Sequence, residues 1–133
     1  MREIKFRAWD TLQGGKFEYW DSETNRFDGI FWTMIKHKSF KEPQQYTGLK
    51  DKNGKEVWEG DIIRTLHFMD RDKPQYLYHK VVYSDRYCAY NAINLKNTDE
   101  LLTTHGNTFL YVLAKASSYE VIGNIYENPE LLK

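Results

Sequence analysis

The feature that most constrains the fold is a series of short aromatic and β-branched runs, separated by turn residues about every ten positions. In the first run, Ile4, Phe6 and Ala8 fall on one face of an extended chain, while Lys5 and Arg7 fall on the other. This period of two indicates a β-strand, because a helix repeats every 3.6 residues. The sequence predicts an all-β protein of short antiparallel strands, roughly seven to nine of them, arranged as a small barrel or a sandwich.

Turn residues place the individual elements. Gly14-Gly15 predicts an N-terminal hairpin, and the segment 51–54 (Asp-Lys-Asn-Gly) predicts a β-turn between two short strands. Gly60-Asp61 predicts a bulge or bend, and Pro129 starts a short C-terminal helical turn. The remaining predicted elements are strands over 27–35, 76–83, 87–95, 109–113 and 119–126 and a short helix over 97–102.

The length of 133 residues is typical of one domain. We therefore expect a single β domain over 1–133, with an N-terminal hairpin and connection over 1–45 and a barrel-like part over 46–133. Within the latter, the region 50–95 has the turn and strand spacing of a small SH3-like barrel.

Charge and cysteine content limit the partners and the compartment. The chain has 19 basic and 19 acidic residues, a balance that argues against binding driven by overall charge. Cys88 is the single cysteine, so no intramolecular disulfide or multi-cysteine metal site can form. No long apolar run indicates a membrane segment. We expect an unprocessed cytoplasmic protein with no membrane partner.

Two groups of residues could carry chemistry. His67, Asp70 and Asp72 surround a turn, but their spacing is not that of a ligand set, so a solvated charged turn is favoured over a metal site. Cys88 lies in a strand-like stretch, where a lone cysteine is typically a small buried apolar residue. We predict no catalytic residue, no metal ligand and no cofactor, and therefore no enzyme.

The segment around Asp51 superficially resembles a calcium-binding loop. Gly54 comes one residue too early for that loop, and Ile62 stands where a bidentate glutamate is required. Turn geometry explains these residues better.

Nucleic-acid binding is one functional hypothesis. Lys5, Arg7 and Trp9 share one face of the first strand, and Lys52 and Lys55 form a basic turn. Small β-barrels bind single strands with basic residues and stacking aromatic rings. Neighbouring acidic residues such as Glu56 dilute both groups, and a mixed-charge surface is also ordinary for a soluble sheet protein.

Protein association is the favoured hypothesis. The chain contains 10 Tyr, 7 Phe and 4 Trp, and alternating strands must turn some of these rings outward. Exposed aromatic patches favour contact with another protein or with a second copy. Core filling is the simpler explanation of the same residues.

Three blocks of the sequence resemble the YopX family. They are Ile4-Lys-Phe-Arg-Ala-Trp-Asp10, the segment from Tyr46 (YTGLKDKNGKEVWEGDII) and the segment from Glu120 (EVIGNIYENPELL). The resemblance implies a β-rich accessory protein of a phage or prophage that acts in the bacterial cytoplasm, and it supplies no catalytic residues. We expect a protein-binding module that forms a homo-oligomer or binds a phage or host protein, with a nucleic-acid-binding protein and an enzyme as alternatives.

Overall fold

The computed structural model describes residues 3–21, 36–70, 73–85, 88–95 and 119–132, without the side chains of 13, 67–70 and 73–75. The elements, in chain order, are β1 (Lys5–Asp10), a 3-10 turn (Leu12–Gly14), β2 (Lys16–Asp21), β3 (Gln44–Lys50), β4 (Glu56–Trp58), β5 (Asp61–Asp70), β6 (Lys73–Ser84), β7 (Ala89–Asn94), β8 (Tyr119–Asn124) and a second 3-10 turn (Pro129–Leu132). The strands predicted over 27–35 and 109–113 and the helix over 97–102 lie outside the described residues.

The strands form two four-stranded sheets, in the orders β2-β1-β3-β4 and β7-β6-β5-β8. β1 pairs antiparallel with β2 and β3 in the first sheet. In the second sheet, β5 pairs antiparallel with β6 and β8, and β6 pairs antiparallel with β7. The all-β prediction is confirmed. Both sheets are open in the described part of the chain, so the closed-barrel alternative, SH3-like in the centre, is not formed, whereas the two sheets that a sandwich requires are present.

The chain divides into two compact units, 1–48 and 49–133. In the first unit, β1 and β2 form the predicted hairpin, with Trp9 opposite Phe17. Gly14 and Gly15 both have φ near +86°, a backbone conformation that side chains disfavour. A Cβ at Gly15 would also collide with the Trp9 indole, so this turn requires glycine.

In the second unit, β5 is a central strand between β6 and β8. Ile63 lies opposite His79 on one side and opposite Val121 on the other. The inner face of this sheet contributes to a core of fully buried side chains, against which other apolar residues pack: Val57, Ile63, Val81, Ala92 and Tyr119, with Leu49, Tyr90 and Val121 packed on them. Each large buried side chain contributes about 1.5–3 kcal/mol to stability.

The bend predicted at Gly60-Asp61 is confirmed, and it sets the entry into β5. Gly60 has φ of +80°, and the Asp61 carboxylate accepts a hydrogen bond from the Trp58 backbone N–H at 2.8 Å. The pairing of β5 with β8 shifts register between Ile62 and Ile63. Both isoleucines are completely buried, although consecutive residues of a regular strand point to opposite faces.

The C-terminal turn is also as predicted. The Asn124 side chain is buried and its Oδ1 accepts hydrogen bonds from the backbone N–H groups of Tyr126 and Glu127, at 3.0 and 2.9 Å. Asn128 Oδ1 accepts from the Asn124 N–H at 3.3 Å, and Pro129 then begins the 3-10 turn. Among the described residues, no helix is long and apolar enough to cross a membrane.

One local prediction is wrong. Cys88 is exposed, and it precedes β7 in a turn with φ of +49° instead of lying buried in a strand. Its Sγ donates to the Asp85 carbonyl oxygen at 3.5 Å. The apolar neighbours that suggested a strand begin one residue later, at Ala89.

Candidate functional site

The Asp51 turn has the geometry that its sequence predicts. Asp51 Oδ1 accepts hydrogen bonds from the backbone N–H groups of Asn53 and Lys55, both at 2.9 Å. Gly54 donates its N–H to the Asp51 carbonyl oxygen and has φ of +81°. The aspartate therefore organises the turn through its main-chain contacts.

The same aspartate joins this turn to β8. Asp51 Oδ2 accepts the Val121 backbone N–H at 2.8 Å, and the Lys52 N–H donates to the Tyr119 carbonyl oxygen at 3.2 Å. We call Asp51 and its three main-chain donors, on Asn53, Lys55 and Val121, the Asp51 junction. Asp51 is only 5% exposed, and both of its carboxylate oxygens face the protein's own donors.

Next to the junction, the outer face of the second sheet carries a group of charged and aromatic side chains. Arg64 lies opposite Tyr78 on β6 and opposite Glu120 on β8. Leu66, two residues along β5, lies opposite Tyr76. Directly opposed residues project from the same face of a sheet, so these five side chains share one surface.

Glu120 is held between two cations on that surface. Its Oε1 accepts a hydrogen bond from Arg64 Nε, and its Oε2 lies 3.5 Å from Lys52 Nζ. The Arg64 hydrogen bond, with the nearby Arg64 and Lys52 charges, lowers the pKa of Glu120, and the hydrogen bond to Glu120 raises the pKa of Arg64. The lowered pKa keeps Glu120 ionised at neutral pH and makes it a weaker base than an unpaired glutamate.

Aromatic and apolar surface surrounds this ion pair. The Arg64 guanidinium carbon lies 4.5 Å from the centre of the Tyr76 ring, in a cation–π contact. Leu66 and Tyr76 are 43% and 47% exposed, which is high for side chains of this size within a sheet. We define the Arg64 patch as Lys52, Arg64, Leu66, Tyr76, Tyr78 and Glu120.

The first three residues predicted to bind nucleic acid share one face of β1, as expected from alternation, but they are engaged within the first unit. Arg7 is 5% exposed, its Nε donates to Gln44 Oε1 at 2.8 Å, and its guanidinium covers the Phe17 ring. Lys5 pairs with Glu3 at 2.9 Å. Trp9 is half-buried, in edge contact with Phe17.

The other two predicted residues, Lys52 and Lys55, lie on the exposed Asp51 turn. Lys52 is close to Glu120, as described above, and Lys50 is exposed at the end of β3 nearby in sequence. The structure thus brings Lys52 into the Arg64 patch, a role that its sequence neighbours do not indicate.

His79 is a buried ionisable residue that was not among the site residues predicted from the sequence. It lies on the inner face of the second sheet and is 4% exposed. Burial lowers its pKa to about 4, so the imidazole is neutral at pH 7. Its alternation with Val81 in β6 indicates an inward position, but nothing in the sequence separates it from an exposed histidine.

No three His, Cys, Asp or Glu side chains of the described residues are grouped as metal ligands. The predicted group of His67, Asp70 and Asp72 lies outside the described side chains, so its arrangement as a solvated turn remains a prediction.

The protein is a mainly antiparallel β-protein. Its Asp51 junction joins the sequence block that begins at Tyr46 to the block that begins at Glu120. The YopX protein family model matches residues 5–133, and the chain belongs to the YopX family. Its structure is similar to the crystal structure of protein EF1440 from Enterococcus faecalis, with a TM-score of 0.53, 25% sequence identity and 98% of each chain covered. No curated protein matches the sequence.

Proposed function

We propose that this protein is a non-enzymatic protein-binding module, and that the Arg64 patch is its binding surface. The observation that carries the proposal is the exposure of Leu66 and Tyr76 directly opposite each other on a regular sheet. Aromatic residues and arginine are enriched where proteins bind proteins, because they combine apolar area with directional polar contacts. The partner is a second copy of the chain or another phage or host protein.

The genetic and cellular setting is part of the same proposal. The similarity to the YopX family supports a phage or prophage accessory protein that works in the cytoplasm of a bacterial host. The pairing of Glu120 with Arg64 and Lys52 lowers the pKa of its carboxyl and makes it a weak base, which supports a binding role over a catalytic one.

Site-specific photo-cross-linking tests the proposed surface. A benzophenone amino acid replaces Leu66, and a matched variant carries it at Glu42, an exposed position of the first unit. We expect a protein adduct at position 66, identified by mass spectrometry, and little at position 42. Equal labelling at both positions, or no protein adduct at position 66, would contradict the proposal.

A nucleic-acid-binding protein is the second candidate, favoured by the exposed lysines of the Asp51 turn. If nucleic acid binds there, Lys52→Glu with Lys55→Glu abolishes a salt-sensitive mobility shift, since each phosphate contact contributes through counterion release. Lys16→Glu, on β2, is the matched control. A complete absence of binding to DNA or RNA at low salt removes this candidate.

A further inference from the structure

We infer that two other segments of the same chain, the Asp51 turn and the turn that contains Asn128, close the outer edge of β8 against an incoming strand. Among the described strands, β8 stands at one end of the second sheet, so β5 pairs with one of its two edges. An open edge presents main-chain N–H and C=O groups to any extended chain, including a second copy. The closure does not depend on the binding role proposed for the Arg64 patch.

The Asp51 turn covers β8 as a parallel neighbouring strand would. In a parallel pair, one residue donates its N–H to the carbonyl before its partner residue and accepts the N–H after that partner. The Lys52 N–H donates to the Tyr119 carbonyl oxygen at 3.2 Å, and Asp51 Oδ2 accepts the Val121 N–H at 2.8 Å. The carboxylate thus takes the place of the main-chain carbonyl of a strand. Lys52 and Glu120 are then side by side, which explains the 3.5 Å contact between their charged groups.

The turn after β8 covers the C-terminal end of the same edge. Asn128 donates its main-chain N–H to the Asn124 carbonyl oxygen at 3.0 Å and accepts the Asn124 N–H with its Oδ1 at 3.3 Å. Both main-chain groups of Asn124 therefore bond to one residue, as they would in a hydrogen-bonded antiparallel pair. Gly123 leaves room for this contact, because a Cβ at that position would collide with the Asn128 side chain.

Closure by side chains ends the sheet at this point. Side-chain acceptors satisfy the N–H groups of β8, but they offer no ladder of alternating donors and acceptors to a further strand. Asp51 also accepts from Asn53 and Lys55 and is only 5% exposed. An incoming strand must therefore break the turn before it reaches the Val121 N–H.

Amide hydrogen exchange, followed by NMR, tests the closure itself. Asp51→Asn keeps a carbonyl oxygen for the turn but presents an N–H donor to the Val121 N–H. We expect the Val121 amide to be protected in the unaltered protein and to exchange at least about tenfold faster in Asp51→Asn, the factor that one lost hydrogen bond to a charged acceptor implies. This acceleration should exceed that of the amides shared by β5 and β6, which report global stability. A Val121 amide that is unprotected at the start, or that accelerates no more than those amides, overturns the inference.

Sedimentation velocity tests the consequence for strand addition. Asp51→Ala opens the edge, and we expect it to form larger species than the unaltered protein at the same concentration. Adding Val121→Pro should reverse this, because proline has no N–H for an incoming strand and the Val121 N–H points away from β5. Val81→Ala, a core change in β6, is the control for lost stability. Circular dichroism establishes that each variant is folded, and Asp51→Asn takes the place of Asp51→Ala if the latter unfolds.

Three sedimentation results overturn the inference: a folded Asp51 variant that sediments like the unaltered protein, association that is as strong in Val81→Ala, or association that Val121→Pro leaves unchanged. The cross-linking experiment at position 66 uses the unaltered edge. Its failure therefore removes the proposed function alone, and failure of the edge experiments leaves the Arg64 patch as proposed.

Discussion

Asp51 and Glu120 are two carboxylates at the same junction of the turn with β8, and they are used in opposite ways. Asp51 is buried and accepts hydrogen bonds from three backbone N–H groups. Glu120 lies on the outer face and contacts two side-chain cations. Buried carboxylates with main-chain donors stabilise a fold, whereas a partly buried side-chain ion pair such as that of Glu120, which is 16% exposed, contributes less to stability.

The largest expected effect is at Asp51. Replacing it by alanine leaves three backbone N–H groups without their acceptor, and we expect the free energy of unfolding to fall by about 3–5 kcal/mol, measured by urea denaturation. Asp51→Asn is the matched variant, because its single carbonyl oxygen still accepts from the turn but not also from Val121. An Asp51→Ala protein as stable as the original would show that Asp51 does not stabilise the fold more than Glu120 does.

His79 is a second buried ionisable group, and it should make the stability of the protein depend on pH. Its folded pKa of about 4 lies below its unfolded value of 6.5, so the unfolded chain binds more protons between these values and stability falls as the pH is lowered from 6.5 towards 4. At about 1.4 kcal/mol per pKa unit, the loss is on the order of 3 kcal/mol.

Urea unfolding of His79→Gln, followed across the same pH range, isolates this contribution, because the other titrating groups are unchanged. We expect the difference between the two proteins' pH dependences to lie in the pH window 4–6.5. Parallel curves would show that burial does not lower the pKa of the His79 imidazole.

Asn124 should have a smaller effect of the same kind as Asp51. Asn124→Ala removes one neutral acceptor from the N–H groups of Tyr126 and Glu127, and we expect a loss of about 1–2 kcal/mol in the free energy of unfolding. Asn124→Asp keeps an acceptor oxygen at this position and should recover most of that loss. Equal losses for both variants would mean that the two hydrogen bonds are not the cause.

The smallest effect on stability is expected at Glu120. Glu120→Gln removes the charge of a partly buried ion pair, and we expect only a small fall in the free energy of unfolding, with a correspondingly small shift of the urea midpoint. A large fall in the urea midpoint would place Glu120 with Asp51 as a structural carboxylate.

The sequence was sufficient wherever the controlling contacts are local. The Asp51 turn, the Gly14-Gly15 hairpin and the Pro129 turn depend on neighbours within a few residues, and each was predicted. Arg7 shows why the nucleic-acid surface was harder to judge. Alternation correctly placed it beside Lys5 and Trp9, but its guanidinium is hydrogen-bonded to Gln44, 37 residues away.

The Arg64 patch was inaccessible from sequence for the same reason. Arg64 and Glu120 are separated by 56 residues, and the strand register that joins them leaves no local pattern. The prediction for Cys88 was wrong for a different reason. A positive φ is uncommon at a residue other than glycine, and the sequence neighbours of Cys88 resemble a strand.

The central position of β5 has a consequence for the order in which the chain folds during synthesis. Its pairing with β6 forms across a short hairpin, but its partner on the other side, β8, leaves the ribosome more than 50 residues later, since Thr65 pairs with Tyr119 and Asp61 with Asn124. Until then, β5 has one unpaired edge, which invites aggregation. Premature termination between β6 and β8 would therefore produce a fragment in which β5 is an open edge strand, a substrate for chaperones and proteases.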